Sequence, residues 1–367
     1  MSRDRSRNSL GALGALVILA CILAVLPTPS AAQSSGWVMP RLPDGTPDLQ
    51  GNWSNATMTP IVRPPGVAEI LTSEQVSALE QGRQDFITSD YEDSDPERGA
   101  PPVGGELTGD PIFDAATGGT GGYNQFFVDA GDNIAIYDGE PRSSLIVYPE
   151  DGRRAAFTPE GERRVAERVA FNRQFNQYDN PENRPLAERC MMSFGSNGGP
   201  PMLPNYFYNN NYTIVQTPDA IMIMTEMVHD VRVIRMGEPR PLPEHMRPWL
   251  GDSWGRWDGD TLVIETTNIH PQQVLMGMSN ASFYPSEDTR VIERLTRVSD
   301  DQMNYEFTID DPTIFADQIR GEVPFNRLDG LLYEYACHEA NYALENVLRG
   351  ARSQEERERN ENQQDRR

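Results

Sequence analysis

Four histidines occur among the 367 residues, and two of them are followed at once by a carboxylate, as His229-Asp230 and His338-Glu339. A carboxylate beside an imidazole is the usual means of fixing its tautomer and raising its basicity, so each pair has the composition of an acid–base unit. Neither pair has the spacing of a zinc motif, and no H-x-x-x-H or paired-cysteine pattern occurs, so metal ligands would have to converge from distant segments. A satisfied histidine at a strand end is the plainer alternative. The apolar run from Ala220 to Met236 is too long for one ordinary strand. A bend at His229-Asp230 divides it and sets these polar residues at a rim, where ligands enter small barrels.

Two other patterns invite chemistry. Gly251-Asp252-Ser253-Trp254-Gly255 matches G-x-S-x-G, but a nucleophile elbow needs a strand before the serine and a helix after it. Pro241, Pro243 and Pro248 spoil the first, and Asp258-Gly259 between two strand-like runs replaces the second with a hairpin. The match therefore reads as accidental, and a serine hydrolase is not expected. Glu265, Glu293, Glu306 and Glu334 fall in the middle of strand-like runs, where a carboxylate usually faces solvent. Turned inward beside Arg256, Arg290 or Arg294, one or two of them would make a polar pocket able to bind a substrate or move a proton.

The elements that must position these residues are mostly strands. Alternating runs occur over 125–137, 143–148, 212–216, 220–228, 231–236, 253–257, 261–267, 289–298, 303–309 and 331–336, and several are joined by turns too short for parallel crossovers, notably Asp258-Gly259 and Ser299-Asp300-Asp301. Helices are expected from Thr72, with Val76, Leu79 and Phe86 on one face. A second follows Thr158-Pro159, with Val165, Val169 and Phe175 on one face, and a third covers Asn341–Arg349, packing through Leu344, Val347 and Leu348. The fold class is mainly β: an antiparallel barrel or sandwich, lipocalin-like among the options, with flanking α-helices and long Pro/Gly-rich loops. Residues 1–32 read as a signal peptide, 33–122 as a loop-rich N-terminal segment with one helix, 123–350 as the β domain with its helices, and 351–367 as a disordered polar tail.

Composition narrows the chemistry. No lysine occurs, which excludes Schiff-base catalysis, pyridoxal phosphate attachment and a P-loop. No G-x-G-x-x-G follows a plausible strand, so no nucleotide cofactor is expected; a divalent metal stays open. Loss of residues 1–32 removes three arginines and one aspartate, taking the formal charge from −23 to −25. Such a surface repels nucleic acid and anionic membranes, and no stretch after the signal segment is apolar enough to span a bilayer. A periplasmic or secreted protein with a small-molecule ligand or substrate is expected. In that oxidising setting Cys190 and Cys337 most simply form a disulfide, the alternatives being a catalytic thiolate beside His338 or two buried thiols.

Thr46 to Trp53, Glu188-Arg189-Cys190, Tyr208 to Pro218, Trp249 to Asn268 and Tyr333 to Tyr342 together resemble a large family of exported bacterial proteins of unassigned function. The resemblance spans nearly the whole chain after the signal segment and implies export, but it brings no mechanism with it. The shared stretches contain both cysteines, Asp252 and His338-Glu339.

The leading expectation is an enzyme, a lyase or isomerase, acting on a small, partly apolar molecule by elimination, hydration or isomerisation. His229 is the expected base, Asp230 its orienter, His338 or Glu339 the acid and Arg256 an anion-stabilising donor, with Asp252 a further candidate. A non-catalytic ligand-binding barrel is the alternative, and a metal-dependent hydrolase the third reading.

Overall fold

The structure, a computed structural model, describes residues 36–90, 97, 129–277 and 279–364. The expected signal peptide and the start of the strand expected over 125–137 lie outside these residues. Gly36–Val38 belong to a separate unit, Met1–Val38, and everything below concerns Met39–Arg367.

The strands are β1 (Gly51–Ser54), β2 (Ile136–Tyr137), β3 (Glu140–Pro141), β4 (Ile146–Tyr148), β5 (Asn211–Gln216), β6 (Ala220–Thr225), β7 (Val231–Met236), β8 (Asp252–Asp258), β9 (Thr261–Thr267), β10 (Arg290–Arg297), β11 (Gln302–Asp310) and β12 (Ile319–Arg327). The helices are α1 (Ser73–Asp90), α2 (Pro159–Asn172) and α3 (Ala343–Gln364). β1 and β5 to β12 close a nine-stranded barrel, because β1 pairs with both β5 and β12, and β4 adds a short strand beside β12. Closure removes the exposed edges that an open sheet would carry.

Local sequence explains most of the ladder. Burial alternates residue by residue along β10, so Val291, Glu293, Leu295 and Arg297 face in while Arg290, Ile292, Arg294 and Thr296 are only partly covered. The Asp258-Gly259 turn, with Gly259 at φ +62°, joins β8 to β9 as expected of that dipeptide. One pairing departs from the antiparallel expectation. β7 and β8 run parallel, Arg235 opposite Trp254, because residues 237–251 give the chain room to cross over.

Three further differences have physical causes. β1 and β12 were not expected as strands: β1 lies in a Pro/Gly-rich stretch, and β12 carries Gly321 and Pro324, both unfavourable inside a strand. Gly321 is required there, since a Cβ would lie 2.3 Å from the Phe307 ring. Leu331–Ala336, expected as a strand, is an extended loop with Tyr333 84 % exposed. Its alternating aromatics mimic a strand but find no partner strand among the described residues. The C-terminal helix continues to Gln364, so the polar segment from 351 is helical over its described part, with i,i+4 pairs such as Gln354 to Glu358 along its exposed surface.

The helices start where caps were read. The Gly161 amide donates to Thr158 Oγ1 at 3.0 Å beneath Pro159, and Thr72 and Gln75 bond reciprocally ahead of α1. Their apolar residues do not enter the core. Leu79, Phe86, Val165, Val169 and Phe175 are all exposed, and Leu344, Val347 and Leu348 are half-buried.

Inside the barrel, Trp53, Tyr212, Tyr305, Phe307 and Phe325 are fully buried, with Phe325 packed 5.0 Å from Tyr212 and 5.4 Å from Tyr305 by ring centroids. An irregular segment, Ser196–Asn205, is buried throughout and plugs this interior. Buried backbone needs partners, and two tyrosines supply them. The Met202 amide donates to Tyr305 Oη at 2.8 Å, and Tyr212 Oη donates to the Asn197 carbonyl at 2.9 Å. Tyr305 Oη in turn donates to Glu293 Oε1 at 2.7 Å, and Glu293 is ion-paired with Arg232 at 2.8 Å. Of the four glutamates expected in mid-strand, Glu334 lies in the loop, and Glu293 is the inward carboxylate among the other three. Its partner is Arg232, and Arg256, Arg290 and Arg294 take no part in the pair.

Candidate functional site

β6 ends at Thr225, and the chain turns through Met227–His229 before β7 begins at Val231, which places the bend where the sequence put it. The turn is strained. Val228 at φ +61° and His229 at φ +50° both occupy the left-handed region, which a β-branched residue rarely enters. Such strain costs on the order of 1–3 kcal/mol per residue and persists only where surrounding contacts enforce it.

Those contacts come from the far C-terminal loop. Glu226, buried, accepts from Asn211 Nδ2 at 2.7 Å and from the Tyr333 amide at 2.9 Å, so both carboxylate oxygens are engaged. His229 Nδ1 lies 2.8 Å from the Tyr335 carbonyl oxygen. The Cys190–Cys337 disulfide then ties the same loop to the body of the protein across a sequence separation of 147 residues. The loop is therefore a strap, pinned at residues 333, 335 and 337 across the β6–β7 turn.

The His229 contact assigns the tautomer of the neutral ring. A carbonyl only accepts, so Nδ1 carries the proton, and in the neutral ring Nε2 is left with its lone pair on an exposed side chain. This is the tautomer of a general base. The backbone of Tyr335 orients the imidazole, a role that was expected of Asp230.

Asp230 has a different character. Its Oδ2 is buried without a hydrogen-bond partner, and its side chain packs toward the Gly198 backbone. Burial pushes its carboxyl up to about 6, and the neighbouring His229 charge offsets only part of that rise. The turn therefore sets an exposed imidazole next in sequence to a carboxyl that keeps its proton up to about pH 6.

The remaining candidates fall elsewhere. His338 and Glu339 lie on the strap, exposed, three and four residues beyond Tyr335, and no described bond joins them to His229 or Asp230. Asp252 is buried with one oxygen accepting from Arg235 and the other from the Leu242 amide at 2.7 Å, which makes it a brace for the β7–β8 crossover. Arg256 is exposed on the outer face of β8. Ser253, the serine of the G-x-S-x-G match, is buried within β8 with its hydroxyl 2.8 Å from that of Thr266. Glu226 and the Tyr335 carbonyl were not foreseen as parts of the site. The only sequence signal for the first is its place three residues before His229, and the second was hidden by reading 331–336 as a strand.

Among the described residues no group of three or more His, Cys, Asp or Glu side chains is disposed to hold a metal ion. No family model, no curated protein and no solved structure matches this chain.

Proposed function

We propose that the chain is an exported enzyme that moves a proton on a small, partly apolar molecule, in an elimination, hydration or isomerisation. The observation that carries this reading is the 2.8 Å contact from His229 Nδ1 to the Tyr335 carbonyl, which leaves Nε2 as the basic nitrogen. Nε2 removes a proton from a carbon next to a carbonyl, and the released electron pair moves into the adjacent bond. Asp230, which burial keeps protonated up to about pH 6, donates to the departing hydroxyl in an elimination or to the distal carbon in an isomerisation. The acid's role expected of His338 or Glu339 is assigned to Asp230 because both of the former are exposed on the strap and no described bond joins them to His229. Strain at Val228 and His229 supports the reading, since backbone held in sparsely populated conformations concentrates at active sites.

The test is solvent isotope uptake. The purified protein is incubated in deuterated buffer at pH 6 with a panel of small hydroxy and oxo acids bearing apolar side chains, and mass spectrometry follows deuterium gain or loss of water. The wild type is expected to exchange at least one panel member, with His229→Gln and Asp230→Asn slower by a factor of about 100 or more. Exchange at the wild-type rate in folded His229→Gln, or none across the panel with the folded wild type, would overturn the proposal.

A further inference from the structure

Helix α2 presents an apolar face that the barrel does not cover. Val165 and Val169 are 42 % and 43 % exposed, and Phe171, stacked edge-on against Phe175, is 59 % exposed. Opposite them stand Val274, Phe283 and Tyr284 from the connection between β9 and β10, and the groove between, open to solvent, has a volume of about 810 Å³. That volume falls within the range of small-molecule sites.

The charges around the groove are the informative part. Arg154, Arg168 and Arg247 all line this one groove, and none of them forms an ion pair among the described residues. Arg154 stacks on the Phe157 ring at 3.8 Å, and desolvation by burial lowers its pKa. Arg168 stacks on the Tyr284 ring at 3.7 Å and donates to the Pro271 carbonyl at 3.3 Å. Arg247 donates to the Ser286 carbonyl at 3.3 Å; the nearby Glu287 has its pKa lowered chiefly by its hydrogen bonds with Arg164, Arg247 adding a smaller electrostatic pull. The groove's two carboxylates are already engaged, Glu167 by Arg163 and Glu287 by Arg164. The net effect is a cationic, aromatic-walled slot on an acidic protein.

We propose that this groove binds a small aromatic carboxylate. Val165, Val169, Phe171 and Phe283 receive the apolar ring, while guanidinium groups laid flat on Phe157 and Tyr284 keep N–H edges available for a carboxylate. The local positive charge offsets the repulsion that the protein's net charge imposes on any anion. The site is separate from the His229–Asp230 turn, and the proposal does not depend on that turn's activity.

Calorimetric titration with 1-naphthoate and with the neutral 1-naphthalenemethanol tests it, alongside sedimentation to report the oligomeric state. The wild type is expected to bind 1-naphthoate at least tenfold more tightly than the neutral analogue. Arg168→Gln combined with Arg247→Gln, both at the groove's surface, should bring the two ligands to equal affinity while the thermal midpoint holds. Val169→Glu should abolish binding of both. Equal affinity of the wild type for the two ligands would overturn the proposal, as would no binding of 1-naphthoate. A concentration-dependent dimer that Val169→Glu dissociates would also overturn it, since a second copy would then be the groove's occupant.

Discussion

Asp230 carries its cost visibly. Its folded carboxyl titrates near 6 against an ordinary value of 3.8, so the folded state binds the extra proton between those two values. The contribution to stability is fully present below pH 3.8 and is lost as pH rises through about 6, where the ionised group is buried with an unpaired oxygen. Asp230→Asn keeps the shape without the ionisation. It should match the wild type at pH 4 and exceed it by roughly 2–3 kcal/mol at pH 7.5, read from urea midpoints at the two pH values. A variant that is more stable yet inactive is the pattern of a group kept for chemistry at the expense of stability. A different logic governs Arg232 and Glu293. Both are buried and joined at 2.8 Å, so Arg232→Met leaves an uncompensated carboxylate and should cost about 3–5 kcal/mol. Adding Glu293→Leu should recover most of that loss in a double-mutant cycle, apart from the hydrogen bond Tyr305 then lacks.

At the scale of elements, the strap over the β6–β7 turn depends on its covalent anchor. A bridge across 147 residues is worth about 5 kcal/mol in the chain-entropy model. Cys190→Ser with Cys337→Ser should lower the thermal midpoint and release residues 331–342 to early proteolysis, with the far-ultraviolet signature of the barrel retained at low temperature. Loss of the Tyr335 contact should follow, and isotope uptake at His229 should fall with it. This connection was only half legible in the sequence. The bend at His229 followed from a run too long for one strand, and the pairing of Cys190 with Cys337 followed from their number and setting. The bond between His229 and Tyr335 joins residues 106 apart, and nothing local to either position announces it. The helix caps at Thr72 and Thr158 were readable because a cap is a four-residue event. The fate of the α2 apolar face was not, because a periodic stripe reads the same whether it meets a core or an open groove.

At the scale of the molecule, the hairpins pointed to a barrel or a sandwich without deciding between them. That choice rests on β1 and β12, whose pairing, Trp53 opposite Arg327, closes the ring. Both are poor strands by composition, since β1 begins at Gly51 and β12 contains Gly321 and Pro324. What holds β1 is Trp53, fully buried, its indole N–H donating to the Leu49 carbonyl at 3.0 Å and its ring 5.5 Å from the Arg297 guanidinium. Trp53→Ala should therefore cost about 3–5 kcal/mol, measured by chemical denaturation. The net charge of −23 acts on the whole surface. Raising monovalent salt from about 0.02 M to about 0.5 M should screen this self-repulsion and raise the thermal midpoint by a few degrees. A fall would mean that surface ion pairs such as Arg163 with Glu160 outweigh the repulsion.

The most direct measurement is the tautomer of His229, read from long-range proton–nitrogen correlation spectra of histidine-labelled protein, with His229→Gln to assign the signal. The expected result is a neutral ring protonated at Nδ1 and bare at Nε2, converting to the more common Nε2–H form when the cysteine pair is removed. A neutral His229 protonated at Nε2 in the intact protein would contradict the proposal, because the exposed nitrogen would then have no lone pair with which to take a proton.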